Sequence, residues 1–130
     1  MTHIPESHID LFNRPLLLGL ATVQPNGQPQ VTPVWGDVED GLIRVNTAAG
    51  RQKYKNLVER PQATVLIIDS EDPFRWIEVR GNVARHSEET GVQVIDKLAK
   101  DYTGADIYPN HTPDETRVTF YIEPTRVVTS

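Results

Sequence analysis

Residues 15–38, "PLLLGLATVQPNGQPQVTPVWGDV", contain the clearest structural signal in the chain. An apolar segment at 15–23 meets a second segment at 28–38 across the sequence "PNGQ". An Asn-Gly pair between two such runs is the strongest short-range indication of a β-hairpin, because a tight turn needs residues that tolerate positive φ. After a second turn, alternating residues at 42–47 predict another strand. These three consecutive strands predict an antiparallel meander.

The remaining segments predict three more strands, which we place at 63–69, 72–86 and 116–128. A glycine within the long central one, Gly81, predicts a bulge or a sharp bend of the kind that barrels need. The expected fold is therefore mainly β with minor α, a six-stranded antiparallel barrel that is closed or split. At 130 residues, we expect a single domain over 1–130.

Helices are predicted at three places. Ser7 would cap a short opening helix, and Ser87 would cap a longer helix at 87–102. A helix from Arg51 to Arg60 would present one apolar face, formed by Tyr54, Leu57 and Val58.

Composition excludes several functions. The chain has 13 Lys plus Arg against 18 Asp plus Glu, for a net charge of -5, which argues against nucleic-acid binding. No apolar run approaches the roughly 20 residues that span a bilayer, and the N-terminus lacks the order of a secretion signal. There is no cysteine, and the four histidines have no ligand-like spacing, so no metal site is predicted. We expect a cytoplasmic protein whose partner is a small molecule.

Positive charge is concentrated in "AAGRQKYKNLVERP", residues 48–61, which contain Arg51, Lys53, Lys55 and Arg60. Basic residues are unfavourable in the first turn of a helix, where the macrodipole is already positive. A bound anion would reverse this effect by accepting hydrogen bonds from the free N–H groups and pairing with Arg51 and Lys53. Asn46 and Thr47, at the end of the preceding strand, would add neutral donors. The stretch therefore predicts either a phosphate site or a solvated basic face.

Aromatic residues allow two interpretations. Trp35 and Trp76 either fill the core or face a cleft, and the polar neighbours of Trp76 favour a cleft or an interface. Tyr102 and Tyr108 flank Gly104, which predicts a left-handed helix cap with the tyrosines packed in a loop. No nucleophile motif and no glycine-rich nucleotide loop is found, so any chemistry would depend on a cofactor.

Taken in order, "LLLGLATVQPNGQPQVTPVWG", "LIRVNT", "GRQKYKNLVERPQATVLI" and "FRWIEVRGNV" resemble the flavin-reductase-like split β-barrel superfamily. That superfamily includes the pyridoxamine 5'-phosphate oxidases and the reductases that use the deazaflavin coenzyme F420. The resemblance extends from about Leu11 to Val128. It implies a homodimer of split barrels with cofactor clefts at the subunit interface.

The resemblance also implies a set of cofactor-binding residues. Arg51 and Lys53 would hold the cofactor phosphate, assisted by Asn46 and Thr47. The second strand would run beside the ring system, through Gln30, Thr32, Pro33, Val34 and Trp35. Trp76 would reach the cofactor from the other subunit.

Two cofactors fit this resemblance. The resemblance implies that a true pyridoxamine phosphate oxidase has a longer C-terminal segment, whereas this sequence ends at "EPTRVVTS". We therefore expect coenzyme F420, with FMN as the alternative. Lys55 and Arg60 would contact the acidic tail of F420. The expected reaction is hydride transfer from reduced F420 to a conjugated or unsaturated small molecule, with no catalytic residue assigned. An FMN-dependent oxidoreductase and a non-catalytic carrier remain the competing hypotheses.

Overall fold

One antiparallel sheet contains every strand of the part that the computed structural model describes, residues 2–130. Its strands are β1 (Leu18–Val23), β2 (Pro29–Val34), β3 (Gly36–Glu39), β4 (Leu42–Ala48), β5 (Gln62–Ile68), β6 (Trp76–Ser87) and β7 (Arg117–Thr129). Their order across the sheet is β2-β1-β5-β6-β7-β4-β3. The mainly β, antiparallel fold class is confirmed, with seven strands instead of six.

The hairpin predicted at the Asn-Gly pair forms one edge of this sheet. Strands β1 and β2 pair from Leu18↔Val34 to Val23↔Pro29. Gly27 has a φ of +87° in the turn, and the Gln28 N–H donates to the Asn26 side-chain oxygen at 3.0 Å. The hairpin prediction is confirmed.

The meander prediction is wrong, because the strand expected at 28–38 breaks at Trp35. Its two halves, β2 and β3, lie at opposite edges of the sheet. One residue joins these edges, so the sheet must curl on itself into a half-barrel. Gly36 permits the crossing, since a Cβ there would lie 2.6 Å from a Leu18 methyl carbon and 2.8 Å from the Arg44 carbonyl. The Tyr102 hydroxyl stabilises the break by accepting from the Gly36 N–H at 3.2 Å and donating to the Leu16 carbonyl at 2.7 Å.

The predicted irregularity at Gly81 is confirmed. The register between β6 and β7 shifts between Arg80 and Gly81. A Cβ at Gly81 would lie 2.4 Å from the Glu123 carbonyl oxygen, so only glycine allows this approach.

Helices cover less of the chain than predicted. A 3-10 helix spans Ile9–Phe12, α1 spans Gln52–Glu59 and α2 spans Gly91–Thr103. The residues preceding the 3-10 helix and α2 are His8 and Thr90, so the caps assigned to Ser7 and Ser87 are wrong. Ser87 instead ends β6, because its strand continues the pairing with β7. The left-handed cap at Gly104 is confirmed by its φ of +82°.

Helix α1 packs against the core side of the curled sheet. Leu57 and Asn56 are fully buried, and the Asn56 amide donates to the Thr22 hydroxyl at 3.0 Å. The Tyr54 ring meets the buried Phe120 ring edge-on, with centroids 5.9 Å apart. Val58 does not belong to the predicted apolar face, since it is 44% exposed. Within residues 2–130, no helix combines the length and the apolar character needed to cross a bilayer.

Candidate functional site

A cleft of about 290 Å³ lies where the β2–β3 break, the start of α1 and the start of β7 meet. Half of the residues predicted to bind a cofactor line it: Pro33, Val34, Trp35, Asn46, Arg51 and Lys53. Five further residues complete the lining: Leu17, Ile95, Tyr108, Asn110 and Arg117. The cleft therefore has an apolar and aromatic side next to a cationic side.

Trp35 forms the aromatic side of the cleft. Its ring stacks on Tyr102, with centroids 5.4 Å apart and planes inclined by 20°. Tyr108 meets the same indole edge-on at 6.1 Å. These two contacts hold a half-buried indole at the position where the strand breaks. Of the two interpretations of Trp35, the structure supports the cleft.

The cationic side begins at the N-terminus of α1. Arg51 is the N-cap residue and has extended backbone angles, and no side chain caps this end of the helix. Lys53 lies in the first turn, whose N–H groups have no partner within the helix. Burial, followed by the neighbouring charges of Arg51 and Arg117, lowers the pKa of Lys53 below its ordinary value. An anion at this end would be stabilised by the free N–H groups, the helix dipole and both side chains.

Arg117 is the cleft residue that sequence reasoning missed. Its side chain is buried, its Nε donates to the Asn46 side-chain oxygen at 2.8 Å, and its Nη1 donates to Glu115 at 2.9 Å. Arg117 pairs with Ala48 across β7 and β4, which places it beside the start of α1. That register depends on residues far apart in the sequence, so no local pattern identifies Arg117.

Two residues that adjoin the cleft lining, one next to Asn46 in β4 and one in contact with Arg51 and Arg117, each have a buried polar atom with no partner among residues 2–130. These atoms are the hydroxyl oxygen of Thr47, which is 2% exposed, and one carboxylate oxygen of Glu115. Arg51, Lys53 and Arg117 contribute three positive charges against the one negative charge of Glu115, leaving an excess of two. Excess positive charge at a partly buried site is costly without a counter-ion, so the cations favour an anionic ligand, whereas the Glu115 oxygen is an acceptor that an anion would not satisfy. The residues present therefore fit an anionic group such as a phosphate.

Asn46 does not serve as a free donor, contrary to its predicted role. Both N–H groups of its side chain are engaged, with the Gly91 carbonyl at 2.8 Å and the Thr119 hydroxyl at 3.1 Å. Its oxygen accepts from Arg117. Asn46 therefore orients Arg117, because all of its hydrogen-bonding groups are already used within the protein.

Gln30 and Thr32 are predicted residues that do not belong to the lining of the cleft. Gln30 and Thr32 face the same side of the hairpin as their partners Thr22 and Leu20, which are buried. The side-chain oxygen of Gln30 is buried without a partner among residues 2–130. The cofactor contacts assigned to Gln30, Thr32 and Thr47 stay predictions.

Three predicted residues are not brought to the cleft within one chain. Lys55 is exposed on α1, while Arg60 follows the end of that helix and donates to the Val23 carbonyl at 2.7 Å. Trp76 begins β6, where it pairs with Ile68 on the outer face of the sheet. The contacts assigned to these residues stay predictions. Within residues 2–130, no group of three or more potential metal ligands converges.

Comparisons with known proteins agree with this architecture. The family model described as pyridoxamine 5'-phosphate oxidase matches residues 4–130. A solved structure titled "F420 Reductase" is 32% identical, with a TM-score of 0.85, covering 96% of this chain and 98% of the other. A conserved hypothetical protein from Mycobacterium tuberculosis is 26% identical, with a TM-score of 0.74, covering 97% of this chain and 84% of the other.

A more distant structure shows the same fold. It is a protein from Listeria innocua titled as a putative pyridoxamine 5'-phosphate oxidase, 16% identical, with a TM-score of 0.72, and each chain is covered to 95%. No curated protein matches this chain. Because the family model covers nearly every residue and the half-barrel recurs in these structures, the chain belongs to the pyridoxamine 5'-phosphate oxidase family.

Proposed function

We propose that this protein is an oxidoreductase that uses coenzyme F420 and passes a hydride from the reduced coenzyme to a conjugated or unsaturated small molecule. The observation that carries the proposal is the cleft itself, in which three cations adjoin a fixed aromatic surface. The likeness to a structure titled "F420 Reductase" favours F420 over FMN. FMN remains the alternative cofactor, because the phosphate and the ring system would occupy the same two sides of the cleft.

The protein's own part in this reaction is to bind, orient and exclude water. Arg51, Lys53 and the first turn of α1 would hold the phosphate. Pro33, Val34 and Trp35 would lie beside the ring system and keep water from it. Bound there, the deazaflavin supplies the hydride, and correct positioning of donor and acceptor accounts for the rate.

A tyrosine could deliver the proton that follows the hydride, and the two candidates differ. The Tyr102 hydroxyl is engaged with the backbone of Leu16 and Gly36, and burial raises the pKa of Tyr102. Tyr108 lines the cleft. Of these two residues, Tyr108 is the one we propose for the proton.

In this proposal, Lys55 contacts the acidic tail of F420. Lys55 is exposed and lies one turn along α1 from Arg51. Arg60 is held by the Val23 carbonyl and by Asn56, at 2.7 and 3.3 Å, so its guanidinium serves chiefly to attach the end of α1 to β1.

The outer face of the sheet supports the expected homodimer. Val31 on β2 is 67% exposed there, and Leu66 and Ile68 on β5, at the other side of β1, are 39% and 49% exposed. Leu17, which is 59% exposed, belongs to the lining of the cleft as well. A second copy covering this apolar face would therefore also border the cleft, and Trp76 on the same face would be close to the partner. The cytoplasmic location and the single domain stay predictions.

Leu66→Glu is expected to convert the dimer into a monomer, because it would bury a charge at the centre of the proposed interface. Sedimentation equilibrium would measure the mass of the wild type and the variant. Val92→Glu is the matched control, since Val92 is 52% exposed on α2, away from this face. A wild-type protein that sediments as a monomer would contradict the interface.

The cofactor is tested by titrating the purified protein with F420 and with FMN while following the quenching of their fluorescence. Tight binding of FMN with no binding of F420 would overturn the proposed coenzyme. Turnover is then measured with reduced F420 and a panel of quinones and enones. Binding of F420 without turnover of any acceptor would favour the carrier.

Affinity for the coenzyme is expected to fall as the pH rises through the lowered pKa of Lys53. A bound phosphate stabilises the protonated amine and raises its pKa, so binding takes up a proton at pH values between the free-state and the bound-state pKa and none well below the free-state pKa. Titrations between about pH 7 and about pH 10 would measure this change. Lys53→Arg should give a flatter profile, because a guanidinium stays charged over that range. The same slope in both proteins would assign the proton to another group.

A further inference from the structure

We infer that Arg117 is the fixed anion-binding residue of the cleft and that it contacts the same phosphate as Arg51 and Lys53. This inference rests on the proposed function, since it names a further residue of the same site. Neither the local sequence pattern nor the family's helix-start motif points to Arg117.

The guanidinium of Arg117 is buried and has unused donors. The Arg117 side chain is 4% exposed, and the residue lines the cleft. A guanidinium has five N–H donors, of which the protein uses one on Nε and one on Nη1. Nη2 has no hydrogen-bond partner among residues 2–130. A buried cation with unused donors facing a cleft is suited to an anionic ligand.

Arg117 is held rigidly by its neighbours. Asn46 accepts from Nε, and Asn46 is itself fixed by the Gly91 carbonyl and the Thr119 hydroxyl. The Tyr108 ring covers the guanidinium, with its centroid 5.1 Å from the central carbon. Asn46 is therefore a positioning residue that acts through Arg117.

Arg117 differs from Arg51 in exposure and in its contact with Glu115. The Arg51 side chain is 53% exposed and approaches Glu115 only at 3.5 Å, whereas Arg117 contacts the same carboxylate oxygen at 2.9 Å. Arg51 must lose considerable side-chain freedom when it binds an anion, and Arg117 loses almost none. Glu115 does not neutralise this site, because Arg51, Lys53 and Arg117 together keep an excess of two positive charges over its single negative charge.

The experiment compares ligands that differ only in the phosphate-bearing chain. Wild type, Arg117→Lys and Arg117→Gln are titrated with F420 and its phosphate-free deazaflavin, and with FMN and riboflavin. Arg117→Lys is expected to weaken binding of the phosphate-bearing ligand about tenfold, because lysine cannot contact Asn46, Glu115 and a phosphate together. Affinity for the phosphate-free ligand should stay within about twofold. Arg126→Lys, at an exposed position on β7, is the matched control.

Inorganic phosphate separates this inference from the proposed function. Its effect on the melting temperature is measured for the wild type and both variants. If the wild type binds neither coenzyme but phosphate stabilises it and not the variants, the inference stands and the proposed function fails. An equal loss of affinity for the phosphate-free ligand, or equal stabilisation of all three proteins by phosphate, would overturn the inference. If a variant does not fold, the other variant provides the comparison, and a wild type that phosphate does not stabilise overturns the inference by itself.

Discussion

Lys53→Ala is expected to weaken coenzyme binding by about 1.5–3 kcal/mol, the usual range for a hydrogen bond to a charged group. This corresponds to roughly a tenfold to hundredfold higher dissociation constant. The effect is large because Lys53 lies in the first turn of α1, half-buried at the cationic side of the cleft. Fluorescence titration with F420 and with FMN would measure it.

Lys55→Ala is the control for this experiment. Lys55 belongs to the same helix but is exposed and outside the lining of the cleft. We expect it to leave FMN binding unchanged and to weaken F420 binding by a smaller factor, through the loss of a screened contact with the tail. If Lys53→Ala had no effect on either coenzyme, the phosphate would bind elsewhere.

Gly91→Ala is expected to lower the free energy of unfolding by about 3 kcal/mol, at the upper end of the range for overpacking. A Cβ on Gly91 would lie 1.9 Å from the Arg117 carbonyl oxygen and 2.4 Å from its carbonyl carbon. These are backbone atoms of β7, so a rotamer change cannot relieve the overlap. The start of α2 must move away from the sheet, which also lengthens the 2.8 Å bond from Asn46 to the Gly91 carbonyl.

Denaturant unfolding would measure this loss, and Gly19→Ala provides the comparison. At Gly19 the closest atom to an added Cβ is the Leu66 carbonyl oxygen at 3.7 Å, which is an ordinary contact. We expect that variant to change stability by less than about 1 kcal/mol. Equal stabilities of Gly91→Ala and wild type would mean that α2 can shift on the sheet without cost.

Local patterns predicted much of the fold correctly. The Asn-Gly turn, the register irregularity at Gly81 and the left-handed Gly104 each depend on a single residue's conformational preference. The cap predicted at Ser87 was wrong because β6 continues through that residue, and its strand pairing outweighs the capping preference of the serine side chain. The meander prediction was wrong because each half of 28–38 has strand character, so no local pattern marks the break at Trp35. Hydrogen bonds of the Tyr102 hydroxyl with Gly36 and with the Leu16 carbonyl stabilise that break.

The candidate site likewise contains residues that the sequence predicts and residues whose roles depend on distant contacts. The basic start of α1 is visible in the sequence, since Arg51 and Lys53 are two residues apart and their effect depends on helix geometry alone. The role of Arg60 cannot be read from the sequence, because its guanidinium donates to a carbonyl 37 positions away. The outward position of Trp76 likewise depends on which face of β6 meets the core.

By itself, the sequence determined the antiparallel, mainly β character of this protein and the concentration of positive charge at one helix start. Both follow from side chains within a few positions of each other. Only the tertiary structure decided that Arg117 joins that charge, since Asn46, which orients it, is 71 positions away. It also decided that β2 and β3 separate to opposite edges of the sheet. Strand pairing over such distances minimises the free energy of the whole sheet, and no short segment contains that information.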